Sequence, residues 1–179
     1  MMPGDLIRLA ERLLGKPRVI FDRGGRSPYL SRYYLVGAPT MPDGSWPFDA
    51  LGAPREGAVW PNKALGVYLH HFHKGDDEPE LHNHPWRLAV SLVLAGGYVE
   101  ERREADDTVT TRVVRPGAVN VIRSTTFHRV ELLDGREAWT LFVVGPKFTG
   151  WGFWSRTSKE FTPWREFINA RRTEAAHAT

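Results

Sequence analysis

From Tyr29 onward the chain divides into short runs rich in β-branched and aromatic residues: Tyr29 to Val36, Leu65 to His73, Leu88 to Ala95, Tyr98 to Arg103, Thr108 to Arg115, Ala118 to Arg123, Phe127 to Leu133 and Ala138 to Val144. Gly96-Gly97, Asp106-Asp107, Pro116-Gly117 and Asp134-Gly135 fall between them and suit tight turns joining antiparallel neighbours. Short strands in this arrangement predict an all-β sandwich or barrel. Ahead of them, Leu6, Ala10, Leu13 and Leu14 follow the Gly4-Asp5 turn on one helical face, and Gly15 with Pro17 beyond it stops the stretch. One short amphipathic N-terminal helix is expected there.

Gly37 to Pro61 breaks the rhythm. It carries five prolines and four glycines, shows little periodicity, and has a length that connections in compact domains rarely reach. Such a segment stays ordered only by burying apolar groups, and Trp46, Phe48, Leu51, Val59 and Trp60 are available for that. Two roles are open, a lid over one mouth of a barrel or a wrap packed outside it. The resulting plan is a helix and lead-in over residues 1–28, one barrel domain over 29–168 that includes the 37–61 segment, and a tail over 169–179. That tail has almost no large apolar residues and is expected to fray.

Composition narrows the chemistry. None of the 179 residues is cysteine, which excludes a disulfide framework, a thiolate-held zinc or iron–sulfur site, and a catalytic thiol. Any metal must be held by histidine or carboxylate. Net charge is 24 − 21 = +3 and the arginines are scattered, so nothing favours a nucleic-acid partner. The longest apolar run, Leu88 to Ala95, is interrupted by Ser91 and falls far short of the ~20 residues of a membrane-spanning helix. Asp5, Arg8, Glu11 and Arg12 cut the N-terminal apolar stretch, so no secretory leader is expected and a cytoplasmic protein is. The sequence contains no Gly-rich phosphate loop, no Gly-x-Ser-x-Gly elbow and no His-Glu-x-x-His helix.

Five of the seven histidines fall within residues 70–84. His82 and His84 are one residue apart, so on an extended strand both imidazoles leave the same face and can converge on one ion. His128, opening the Phe127 run after the Pro116-Gly117 turn, is placed to supply a third ligand from another strand. Imidazoles suit iron, nickel, copper, cobalt or zinc. On a strand His70 shares a face with Tyr68 and Phe72, while His71 and His73 share the other with Leu69, and only one set can point inward. Arg87 follows the His-x-His segment and Arg123 precedes His128, and both are candidates for gripping a carboxylate or phosphate bidentately. Trp86 and Ser91 are further candidates for a pocket wall. Asp76-Asp77-Glu78 with Glu80 reads as a solvated turn ahead of His82.

The order of these features resembles the two-motif pattern of the cupin superfamily. A His-x-His strand, His82-Asn83-His84-Pro85-Trp86, and a glycine turn come first, followed by the Arg115-Pro116-Gly117 turn and His128; the resemblance covers residues 65 to 145. With Tyr68-Leu69-His70 upstream and Trp139-Thr140-Leu141, Gly145-Pro146 and Trp151-Gly152-Phe153 downstream, the chain is similar to a bacterial and phage branch of that superfamily. The resemblance implies a double-stranded β-helix, or jelly-roll barrel, with a metal at His82, His84 and His128. It matches His70 as a pocket residue: a hydrogen-bond partner to the ligands, a proton carrier or a fourth ligand. It also implies a homodimer through an edge strand, for which Tyr29 to Val36 is the candidate.

The chain departs from the pattern where the superfamily places a ligand glutamate, since Leu88 and Ala89 stand there. On that alignment a Leu88→Glu change would set a carboxylate beside the metal. A site of three histidines and no carboxylate resembles those of the thiol and diketone dioxygenases among cupins. Neutral ligands leave the ion its full positive charge, which favours an anionic substrate beside dioxygen. The implied function is a mononuclear metal-dependent enzyme, foremost an Fe(II) dioxygenase acting on a small polar or anionic molecule, with Ni, Zn, Co, Cu or Mn open as the divalent ion. A metal-dependent isomerase or epimerase with His70 as base, and a non-catalytic small-molecule-binding module, are the alternatives.

Overall fold

A computed structural model describes residues 3–22, 26–49, 54–60, 64–167 and 169–170. Helix α1 (Pro3–Leu14) is followed by β1 (Arg18–Phe21), β2 (Pro28–Val36), β3 (Gly66–Phe72), β4 (Leu81–His82), β5 (Leu88–Ala95), β6 (Tyr98–Arg103), β7 (Val109–Val114), β8 (Val119–Arg123), β9 (His128–Leu132), β10 (Ala138–Val144), β11 (Gly152–Trp154) and β12 (Phe161–Pro163). They form two six-stranded sheets, in the orders β1-β2-β3-β10-β5-β8 and β12-β11-β4-β9-β6-β7. Every pairing between these strands is antiparallel. The runs read from the pattern return as β2, β3 and β5 to β10 with ends moved by at most one residue.

Alternation along each strand decides which side chains meet between the sheets. Along β5, Ala89, Ser91 and Val93 are buried while Leu88 and Leu94 face out, and along β9 His128, Val130 and Leu132 are buried. Val93 of the first sheet packs with Tyr98, Val114 and Val130 of the second, closing one end of the interior. Toward the other end Tyr68, Ala89, Ile122, Phe142 and Val144 form a second cluster, with Trp86 and Tyr34 against it. The turn from β5 to β6 needs glycine, because a Cβ at Gly96 (φ 73°) would lie 2.2 Å from the Glu137 carbonyl oxygen.

Two expectations change. The packed face of α1 is Ile7, Ala10 and Leu14, set against Tyr33 and Trp139 on the outer side of the first sheet, while Leu13 is 70% exposed. At 100° per residue Ile7 and Leu14 lie on one side of Ala10 and Leu13 on the other, so one stripe cannot hold all of them. Tyr29 to Val36 is not an edge strand, since β1 pairs with β2 on the side away from β3. The 37–61 segment is tied by antiparallel bridges Thr40↔Val59 and Phe48↔Pro54. Its anchor is Phe48, buried and stacked on Tyr34 at 5.9 Å, with the Arg18 guanidinium 4.6 Å over the ring. Trp60 lies edge-on to Tyr34 at 6.4 Å, and Trp46 stays partly exposed. Phe48 and Trp60 therefore meet Tyr34, and Trp46 meets Phe48, whereas the ring partners of the histidine triad include Phe142, Trp86 and Phe153. Leu51 and residues 171–179 of the tail lie outside the described residues. Among the described residues no helix is long and apolar enough to cross a membrane.

Candidate metal centre

The two residues of β4 are held between β9 and β11, with His82 opposite His128 on one side and Phe153 on the other. The chain then leaves the sheet at Asn83, whose buried side chain takes over the pairing. Its Oδ1 accepts from Gly152 N at 2.8 Å and its Nδ2 donates to the Ser124 carbonyl at 2.9 Å. This residue, which the motif reading passed over, pegs the segment so that the imidazoles on either side of it turn toward His128.

The three rings form a compact group. Centroids of His82 and His84 are 5.0 Å apart, those of His82 and His128 4.8 Å, and those of His84 and His128 5.1 Å. One nitrogen from each lies within 4.8 Å of the others, and the Nε2 atoms of His84 and His128 are 2.9 Å apart. Two nitrogens bound at right angles, each about 2.1 Å from one ion, would be about 3.0 Å apart. The donor set therefore fits a borderline divalent transition metal. Burial, then the neighbouring His82 and His128, push the His84 imidazole well below its usual range, so it stays neutral with a lone pair to give.

Behind His128 stands Glu100, fully buried on β6. His128 Nδ1 donates to its Oε1 at 2.7 Å, which fixes the tautomer and aims Nε2 at the centre. The same oxygen accepts from Asn120 Nδ2 at 2.9 Å, while Oε2 accepts from Arg102 Nε at 3.0 Å and Arg112 Nε at 2.7 Å. Burial opposes the charge, but the hydrogen bonds from His128 and Asn120 and the charge of Arg102 outweigh it, and the carboxyl is held below the usual carboxylate range. Behind His82, Asp76 Oδ2 lies 3.7 Å from Nδ1. Asp76 is not part of a solvated turn, for it accepts from Tyr29 Oη at 2.8 Å and from Val130 N at 2.7 Å. Sequence reading missed both acids because their partners sit on strands far away along the chain.

His70 points into the barrel, as its face with Tyr68 requires. It is buried and lies 4.8 Å from Phe142, whose ring in turn lies 6.2 Å from His84. Arg32 of β2, in register with it, donates Nε–H to His70 Nε2 at 2.9 Å. An arginine nitrogen can only donate, so Nε2 is the acceptor and the lone pair a base would use is occupied. Burial, then Arg32, hold His70 neutral, well below the usual imidazole range.

Arg32 is an arginine of the interior, beside His70, and the two named from sequence lie elsewhere. Arg87 and Arg123 are exposed; Arg87 rests over the Phe148 ring at 5.9 Å, and Arg123 sits on the outward row of β8. The outward row also takes Leu88, which is 43% exposed and opposite Arg123, while Ala89 is the inward residue. A carboxylate at position 88 would leave the barrel. Ser91 and Trp86 do turn inward, Trp86 with its ring 5.5 Å from His84. Thr140, in register with His70 and buried, has a hydroxyl without a hydrogen-bond partner.

No family model and no curated protein sequence matches the chain. Solved structures do. The structure is similar to the DMSP lyase DddQ from Ruegeria pomeroyi DSS-3, with a TM-score of 0.50 and 19% identity over 79% of this chain and 60% of that one. The fold is a cupin barrel. An oxalate oxidase in complex with glycolate is similar at a TM-score of 0.43 and 22% identity, over 52% of this chain and 49% of that one. A putative mannose-6-phosphate isomerase from Ralstonia eutropha JMP134 gives 0.41 and 22%, over 49% and 80%. The match spans about half the length of the oxalate oxidase, and at these identities the likeness concerns the cupin fold alone.

Proposed function

We propose that the protein is a mononuclear metal-dependent enzyme, of Fe(II) dioxygenase type, that oxidises a small anionic molecule inside the cupin barrel. The observation that carries this reading is the convergence of three imidazoles, His82, His84 and His128, with no carboxylate among the donors. His82, His84 and His128 would hold the divalent ion through neutral ligands, and it would supply a Lewis-acid centre of undiminished charge. The chain's own residues do the rest. Glu100 keeps His128 in one tautomer and one orientation. Phe142, Trp86 and Phe153 surround the histidines with ring surface and exclude water.

Arg32 supports the anionic substrate. Its Nε is engaged by His70, and its terminal nitrogens take no hydrogen bond among the described residues. A guanidinium so fixed presents a fork that matches a carboxylate. His70 then acts as a positioning residue for Arg32, and the Thr140 hydroxyl is a second polar group open to the substrate. The occupied lone pair of His70 weighs against the isomerase reading, which needs a free base there.

Oxygen uptake tests the reading. Fe(II)-loaded protein offered a panel of small carboxylates is expected to consume dioxygen with one class of them, and Arg32→Leu to lose that activity by about 100-fold or more, the worth of a charged hydrogen-bonded pair. Turnover that proceeds equally well without dioxygen would overturn the oxygenase assignment.

A further inference from the structure

A second cluster of metal-ligating side chains lies on the opposite face of the first sheet, away from the triad. His71 faces outward from β3, His73 follows just past the strand end, and Glu137 stands immediately before β10. His71 Nε2 is 2.9 Å from Glu137 Oε2, and His73 Nδ1 is 3.4 Å from Glu137 Oε1. One donor atom from each of the three lies within 4.8 Å of the others. We infer that His71, His73 and Glu137 form a second cation site, taking a borderline divalent transition metal such as zinc and independent of the site inside the barrel.

The arrangement is built and not an accident of mobile side chains. The His71 ring is buried and stacked at 4.1 Å, with 9° between the planes, on Trp139, which itself packs against α1. His73 has its second nitrogen, Nε2, 2.8 Å from Ser31 Oγ. A serine hydroxyl both donates and accepts, so it can satisfy Nε2 whether Nδ1 carries a proton toward Glu137 or gives its lone pair to an ion. His73 thus keeps its hydrogen bond to Ser31 when a metal replaces its contact with Glu137. Two imidazole nitrogens and one carboxylate are a donor set for zinc, nickel, cobalt, copper or iron, and not for calcium or magnesium, which take oxygen ligands. An ion there would join β3 to the start of β10, and with three protein donors a tetrahedral ion would keep one position for water.

The test uses the full chain, purified without a histidine tag, stripped with a chelator and titrated with zinc chloride. Wild-type protein is expected to take up zinc at two independent sites. His84→Ala should lose the inner site and keep the outer, with a rise in Tm on zinc addition. His73→Ala and Glu137→Gln should each lose the outer site and keep the inner. Their side chains are 25% and 45% exposed, so replacing them leaves the core in place. An anomalous zinc peak between His71 and Glu137 in His84→Ala crystals would give the same answer without any change to the outer residues. Failure of His84→Ala to bind zinc, or wild-type stoichiometry in Glu137→Gln, overturns the outer site. Zinc uptake at a single site that Glu137→Gln abolishes and His84→Ala does not would support the outer site and refute the inner one, so the two assignments fail separately.

Discussion

Glu100 shows how much of the candidate centre depends on a residue that never reaches the metal. Its carboxylate lies fully buried, receives His128 Nδ1 at 2.7 Å, and is itself held by Asn120, Arg102 and Arg112. Glu100→Gln keeps the shape and removes the charge, so His128 loses the partner that makes it a stronger donor and fixes its Nε2. Metal affinity is expected to fall about 10- to 100-fold, the usual effect of losing such a supporting group, as measured by competition with a chromophoric chelator well below the Tm of both proteins. Unchanged affinity would mean that His128 is oriented by packing alone. At this scale the histidines were legible in the sequence because alternation on one strand aligns His82 and His84. Glu100 and Arg32 were not, because each meets its histidine only through strand pairings that join residues 28 and 38 positions apart. Arg87 and Arg123 lie close to the histidines along the chain, but both are exposed, Arg123 on the outward row of β8.

At the scale of the element, register decides the chemistry. Leu88 pairs with Arg123 on the outward row of β5 and β8, and Ala89 with Ile122 on the inward row. Shifting a side chain by one residue moves it to the other face. Leu88→Glu is therefore expected to leave metal affinity unchanged within twofold in a calorimetric titration, in contrast to what alignment with the superfamily's glutamate position suggests. A tightening of binding by the variant would show that β5 adopts another register. The longer strands could be read from the sequence because runs of five or more residues display a period. The missing ones, β1 with four residues, β4 with two and β11 and β12 with three each, are too short to show any; β1 is held by β2, β4 and β11 by β9, Asn83 and each other, and β12 by β11. The proline- and glycine-rich segment follows the same logic, since its need for an anchor was visible and the identity of the anchor, Phe48 on Tyr34, came from the β2 register.

Across the whole molecule, the support of the centre also joins the sheets. Asn120, on β8 of the first sheet, donates to Tyr98 Oη at 3.0 Å and to Glu100 at 2.9 Å on β6 of the second, so the interior carries a charged network among its apolar clusters. The buried histidines and Glu100 make stability depend on pH in two stages. His70, His71 and His84 are all held below their ordinary value of 6.5, chiefly by burial, so the folded metal-free protein keeps them neutral while the unfolded chain protonates them. Below 6.5 the unfolded state therefore binds more protons, and stability that is complete above that pH is lost as pH falls, by about 1.4 kcal/mol per pH unit for each histidine. Glu100 has the same sign in a lower window: its folded value is depressed from 4.5, so its contribution is complete above that pH and is lost only as pH falls below it. Urea midpoints of metal-free protein at pH 7.5, 5.5 and 4 should show the first decline before any carboxylate titrates. Metal loading should delay it, because the ion and the proton compete for the same His84 lone pair. A midpoint that stays flat from pH 7.5 to 5.5 would mean that the buried histidines accept protons in the folded state, and with that the argument for a preformed set of neutral ligands would fail.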